Sequence, residues 1–388
     1  MQRLLRFGVL ATAIALSIIG SGAIASARTS HGDTVGHVYV NNNTAGINSI
    51  SGFDRHADGT LTAIPGSPFD IGGAGTGTAT GSQGSLQLSA DGKFLLAADA
   101  GSNQISVERI AHDGSLRPVE SSPVSSGGLK PVSIAVHGNL VYVANAGAGG
   151  SSYTGFTLSG GGRLQPIAGS TFTLPDIANP GDVLFNGDGS YFVGVRVGPN
   201  AGPSFIDTFL VGTDGLLTPA AGSPFASQVT GPFGSVFSPN DPSQLFVTNA
   251  HGGPGAGSVS VFDLTNGVPA AIPNSPFANG QSGTCWAEIT ADGSFLFTVN
   301  TGSSTISRYS IAADGTLSLL GNTAMTNPGT GGLAAFDARL TPDGKYLYVV
   351  DATGRISAFA VSGGSLTELA SSPVSLSTGV TPFGIVTT

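Results

Sequence analysis

A five-residue strand closing on a polar residue recurs seven times in this chain: VYVNN at 38–42, LLAAD at 95–99, VYVAN at 141–145, FVGVR at 192–196, LFVTN at 245–249, LFTVN at 296–300 and LYVVD at 347–351. Successive final positions lie 57, 46, 51, 53, 51 and 51 residues apart. A period near fifty, built only of strands and turns, is the repeat of a four-stranded propeller blade. It overrides the two or three domains of ~150 residues that length alone would suggest. The sequence therefore predicts an all-β, seven-bladed β-propeller of four-stranded antiparallel blades, one domain over 28–388.

The segments between the markers supply the remaining strands. Most markers follow an apolar strand and a tight turn, such as Leu86 to Leu88 with Ser89-Ala90-Asp91-Gly92. After each marker comes an alternating strand and a second turn, filled by Asp58-Gly59, Asp113-Gly114, Asp214-Gly215 and Asp314-Gly315 in four units. Glycine accepts the positive φ that such turns require. A fourth strand runs toward Ser-Pro-Phe or Ser-Pro-Val at Pro68, Pro123, Pro224, Pro276 and Pro373, where proline is expected to stop the ladder at the rim. The first marker, at Val38, has no inner strand before it, and the chain ends on Pro382-Phe383-Gly384-Ile385-Val386-Thr387, an inner-strand sequence with no marker after it. Pairing the two closes the ring and removes two exposed sheet edges.

Residues 1–27 read as a secretory signal: Arg3 and Arg6, an apolar run from Phe7 to Ile19, and a small-residue cleavage site at Ala25-Ser26-Ala27. The run falls short of the ~20 residues of a membrane span, and no cysteine stands near the cleavage point for a lipid anchor. A secreted, extracellular monomer with no membrane insertion is expected. Cleavage would take the net charge from −9 to −11 by removing two arginines, a balance that excludes nucleic acid as a partner, since such binding rests on basic groups.

The composition holds few motifs of chemistry. Cys285 is the single cysteine, so no disulfide forms within the chain. No paired-cysteine motif, His-Glu-x-x-His run or Gly-x-Ser-x-Gly elbow occurs, and no metal or cofactor is expected. Six markers end in Asn or Asp, which fit residues bonding their own turns; the fourth ends in Arg196, which either holds an anion or pairs with Asp182. Aligning the inner strands by their turns puts Glu288 and Arg339 one repeat apart, and likewise Trp286 and Asp337. These four form either an inter-blade contact or an acid and base at the channel mouth with Trp286 as a stacking platform. His251, in the loop Asn249 to Gly257, is the one histidine expected on the face that carries the connections between blades, here called the top.

With its Ser-Pro-Asp-Gly-like turns and Tyr-Val-Ala-Asn strands, the sequence from His37 to Thr388 resembles the lactonase family of seven-bladed propellers. That family includes bacterial 6-phosphogluconolactonases, fungal carboxymuconate cyclases and the broader YVTN-repeat proteins. The resemblance implies a hydrolase or isomerase of a lactone or cyclic sugar acid. It also implies Arg and His after Gly231-Pro232, and Asn-Glu at the end of the following strand; this chain has Phe233 and Gly234, then Thr248 and Asn249. The candidate catalytic residues are therefore Arg196, Glu288 and Arg339, with His251, Trp286 and Asp337 as binding residues. The alternative is a non-catalytic propeller that binds a glycan, peptide or protein on its top face.

Overall fold

The computed structural model describes residues 32–199, 202–326, 335–377 and 379–388. The propeller occupies the compact unit Gly32–Thr388. The secretory signal expected at 1–27 lies outside the described residues. Among these residues all regular structure is β, arranged as seven small antiparallel sheets. In the second blade the order runs from Leu86–Leu88 through Phe94–Asp99 and Gln104–Ile110 to Leu116–Pro118.

The first blade takes its inner strand from the other end of the chain. Ile385–Thr387 pairs with Thr34–Asn41 in the register Val38 to Thr387, and Phe383 and Gly384 extend the ladder to Asn41 with hydrogen bonds of 2.8 and 3.0 Å. The expected closure is present.

The outer strands do not end at Ser-Pro as the sequence suggested; they break there and resume. Leu61–Ala63 and Phe69–Asp70 both pair with Ser49–His56, on either side of Pro68. The break leaves an amide of the neighbouring strand without a backbone partner, and the serine before proline accepts from it: Gly52 to Ser67 at 2.9 Å, Val107 to Ser122 at 2.7 Å, Thr208 to Ser223 at 3.1 Å. The serine of the motif is thus explained by an otherwise unsatisfied donor.

Marker tyrosines tie consecutive blades. The Tyr39 hydroxyl donates to the Gly114 carbonyl of the next blade at 2.8 Å, Tyr142 to Gly215 at 2.9 Å, and Tyr348 of the last blade to Gly59 of the first at 2.9 Å. At Gly59, φ is +80° and a Cβ would overlap the Tyr346 ring, so the turn needs glycine twice over.

One column of the third strand packs between blades, opposite the first residue of each marker. It holds Phe53, Phe156, Phe209, Phe262, Tyr309 and Phe359, all buried. In the second blade Glu108 stands there, opposite Leu95, only 1% exposed and with neither carboxyl oxygen hydrogen-bonded.

Candidate functional site

The inner strands line the central channel, running from the top toward the opposite face, where Asp91-Gly92, Asp188-Gly189, Asp292-Gly293 and Asp343-Gly344 turn four of them into their markers. Near the top the channel is filled by Phe233, Trp286, Phe336 and Phe383, whose rings meet in edge and tilted contacts at 4.9–6.0 Å. Trp286 is 2% exposed and donates its indole N–H to the Ser82 carbonyl at 2.9 Å. It is a packed core residue and offers no open face for stacking a ligand.

Ser82 and Gln83 belong to the glycine- and threonine-rich connection between the first two blades, which crosses into the channel. The Gln83 amide donates to the Gly181 carbonyl at 2.8 Å, its side-chain nitrogen to Ser235 at 3.2 Å, and its side-chain oxygen accepts from Ala287 at 3.0 Å. One glutamine thus joins the inner strands of three blades on the far side of the ring. A Cβ on Gly234 would overlap its side-chain oxygen and the Cys285 carbonyl. A larger residue at 234 has no room.

Below this plug lies a cavity of about 360 Å³ that opens on the Asp-Gly-turn face, with Gln83, Gln87, Asp182, Ser235, Glu288 and Arg339 in its wall. Glu288 and Arg339 meet across a blade boundary at 3.3 Å, with side chains 11% and 24% exposed. Glu288 also accepts from the Leu340 amide at 3.0 Å, and Arg339 donates to the Ile385 carbonyl at 3.3 Å. Arg339 thereby ties the last blade to both of its neighbours. Asp182 accepts from Ser133 at 3.2 Å and from the amide and hydroxyl of Ser235 at 2.9 and 2.7 Å.

The acids here are unusually hard to ionise. Burial pushes the Asp182 carboxyl up to about 8 against its hydrogen bonds, and Asp337 up to about 7 against the attraction of Arg339. Glu288 is also raised by burial, with Arg339 and the Leu340 amide opposing. Arg339 stays cationic: the charges of Glu288, Asp337 and Asp182 outweigh the loss of solvent. Asp337 is buried, one of its oxygens accepts from Ala338 at 2.9 Å, and the other has no partner. A cation and a carboxyl group thus stand together at a small-molecule-sized opening.

Two further expected residues lie elsewhere. Arg196, at the top end of its marker, makes a two-pronged pair with Asp207, which also accepts from Tyr153 at 2.8 Å. Its partner is not Asp182, because Asp207 lies on the strand directly paired with the marker and on the same side. His251 is half-buried against Gly231, does not line the cavity, and has its ring Nδ1 unbonded; burial holds the imidazole below its usual value. Cys285 is buried, its thiol pushed up to about 12, and inert as a nucleophile. No group of three or more His, Cys, Asp or Glu among the described residues is disposed to hold a metal.

The sequence model of the family described as "Lactonase, 7-bladed beta-propeller" matches residues 33–154 and 232–382. The chain belongs to this lactonase family. The unmatched stretch contains the fourth blade, in which Arg196 replaces the usual marker ending.

Solved structures similar to this lactonase-family propeller include a candidate 6-phosphogluconolactonase from Bacteroides fragilis, 21% identical with a TM-score of 0.71, covering 92% of this chain and 98% of that one. The periplasmic gluconolactonase PpgL of Pseudomonas aeruginosa is 17% identical with a TM-score of 0.68, covering 91% and 98%. At these identities the likeness is one of fold. Among curated proteins no match was found.

Gln83 and Gln87 were not among the residues singled out from the sequence. Gln87 shares the inner-strand column of Glu288 and Arg339, and the alignment by turns contains it. Gln83 stands at the head of its strand, where Pro131, Pro180 and Pro232 stand in others. A polar residue in a proline column was the available signal.

Proposed function

We propose that this lactonase-family propeller hydrolyses neutral sugar lactones outside the cytoplasm, at the channel mouth on the Asp-Gly-turn face. The observation that carries the reading is the contact of Glu288 with Arg339 in the wall of the cavity. Glu288 takes a proton from water as the water oxygen attacks the lactone carbonyl carbon. Arg339 stabilises the negative charge that gathers on the carbonyl oxygen. The ring C–O bond then breaks, and the proton held by Glu288 passes to the departing oxygen.

Charge supports a neutral substrate. Arg339 is the one cation in the cavity wall, already facing Glu288, with Asp182 in the same wall. A phosphate dianion would find no unpaired cation in this wall to receive it. The sequence of residues 1–27 supports export, which also separates the protein from phosphorylated metabolites made inside cells.

A second reading, a propeller that binds a glycan or protein without catalysis, is favoured by Phe233 and Gly234 at the positions where the family resemblance implies Arg and His. Measured hydrolysis separates the two. Glucono-1,5-lactone should open faster than in buffer, with 6-phosphogluconolactone unaffected, and Arg339→Ala should lower the rate by ~10² to 10³. No acceleration with any lactone tested would establish the binding reading instead.

A further inference from the structure

Far from the channel, at the outer edge of the Asp-Gly-turn face, the second and third blades enclose a cleft of about 620 Å³ lined by Arg109, Pro118, Val119, Glu120, Gly161 and Arg163. Arg117 stands beside it, directly opposite Arg109 in the antiparallel ladder. Like charges so placed repel each other. None of the three arginines makes an ion pair among the described residues, although the chain carries 23 acids against 14 basic residues.

The cleft also orients its charge. The Arg109 guanidinium lies over the Phe94 ring at 4.6 Å and donates to the Gly161 carbonyl at 3.2 Å, which fixes its plane. Gly160-Gly161-Gly162 forms the facing turn, and no side chain from it narrows the opening. Glu120, the acid in the wall, remains exposed and unpaired. Asp113, a turn acid whose charge reaches Arg117, stands outside the cleft wall and accepts from the amide and hydroxyl of Ser115 at 3.1 and 2.6 Å.

From this arrangement we infer a second binding site, for an oligosaccharide carrying carboxylates on successive rings. Three guanidinium groups call for more than one negative charge, and each suits the two oxygens of a carboxylate. The volume exceeds that of a single inorganic anion, and the open rim lets a chain of sugar rings run past. Pro118 and Val119 supply apolar surface for the ring faces.

Isothermal titration of the full chain with a galacturonic acid trimer tests this site. The trimer should bind with an affinity that falls as salt rises, and its fully methyl-esterified form should not bind. Arg117→Ala and Arg163→Ala should each weaken binding roughly tenfold, as expected for loss of a charge-assisted hydrogen bond. Both side chains are exposed, so the melting temperature should hold and confirm that the fold is intact. Absence of binding, equal binding of the ester, unchanged binding in the double variant, or displacement of the trimer by equimolar inorganic sulfate would each overturn the assignment.

Discussion

Gln83 accepts a hydrogen bond from the Ala287 amide at 3.0 Å, although 204 positions separate the two residues. The same side chain fills the space beside Gly234, so the residue at 234 and the connection between the first two blades constrain each other. Gly234→His should therefore destabilise the propeller by about 1–3 kcal/mol through overpacking. Adding Gln83→Gly should recover part of that loss, since it removes one of the two groups the new side chain meets. Thermal melts of the single and double variants check this; a Gly234→His protein as stable as the wild type would mean that the plug yields freely.

Removing residues 382–388 should abolish the ring. The truncation deletes the inner strand of the first blade, exposes the edge at Val38 to Asn41, and takes away the Thr388 carbonyl that accepts from Arg55 at 2.9 Å. Domains with ~5–15 kcal/mol of stability rarely absorb such a loss. Circular dichroism and light scattering of the truncated chain should show unfolding or aggregation, and an unchanged melting temperature would contradict closure by this strand.

Glu288 and Arg339 should be energetically coupled. Removal of one partner from a fully buried pair costs ~3–5 kcal/mol, but these side chains keep some access to solvent, so Glu288→Ala should cost about 1–3 kcal/mol, less than the buried limit. A double-mutant cycle should return a non-zero interaction energy. Additive losses would show that the contact carries no stability.

Glu108→Phe should stabilise the protein. It puts into the second blade the aromatic residue that the other six hold in this column, and removes two unsatisfied buried oxygens, a gain of about 1–3 kcal/mol. Burial, reinforced by the nearby Asp99 charge, raises the Glu108 carboxyl from 4.5 to about 8. The native state thus holds a proton that the unfolded chain releases above its ordinary value. The stability this contributes is complete below pH ~4.5 and is lost progressively as pH rises through about 8. Denaturant titrations across this range should show one proton less of pH dependence in Glu108→Phe than in the wild type. An equal slope would place the titration on another group.

The ring was legible in the sequence because each blade is made of local pairings, which mark themselves as strands and turns every fifty residues. Closure was legible from what each end lacked. Glu288 and Arg339 were legible because an inter-blade contact between equivalent columns recurs at the repeat length. The plug was not, since the contacts of Gln83 obey no repeat and its loop is low in distinctive residues. Arg196 was misassigned for a nearer reason. Asn249 bonds Ser260, Asn300 bonds Ser307 and Asp99 bonds Ser106 on the next strand, whereas the fourth blade has Arg196 and Asp207 in those two columns. The polar pair has been exchanged for a charged one as a unit, a change visible only when both columns are aligned together.

The tyrosine contacts give the seam of the ring a mechanical property. Tyr348 reaches Gly59 across the junction of last and first blades in the same way that Tyr39 reaches Gly114 between two blades that are continuous in the chain. Load at the junction is therefore shared by a backbone ladder and a side-chain latch acting in parallel, at different radii from the axis. Peeling the terminal strand away from Val38 leaves the outer latch engaged, so the ring would open as a hinge pivoting near Gly59 before the two blades could part.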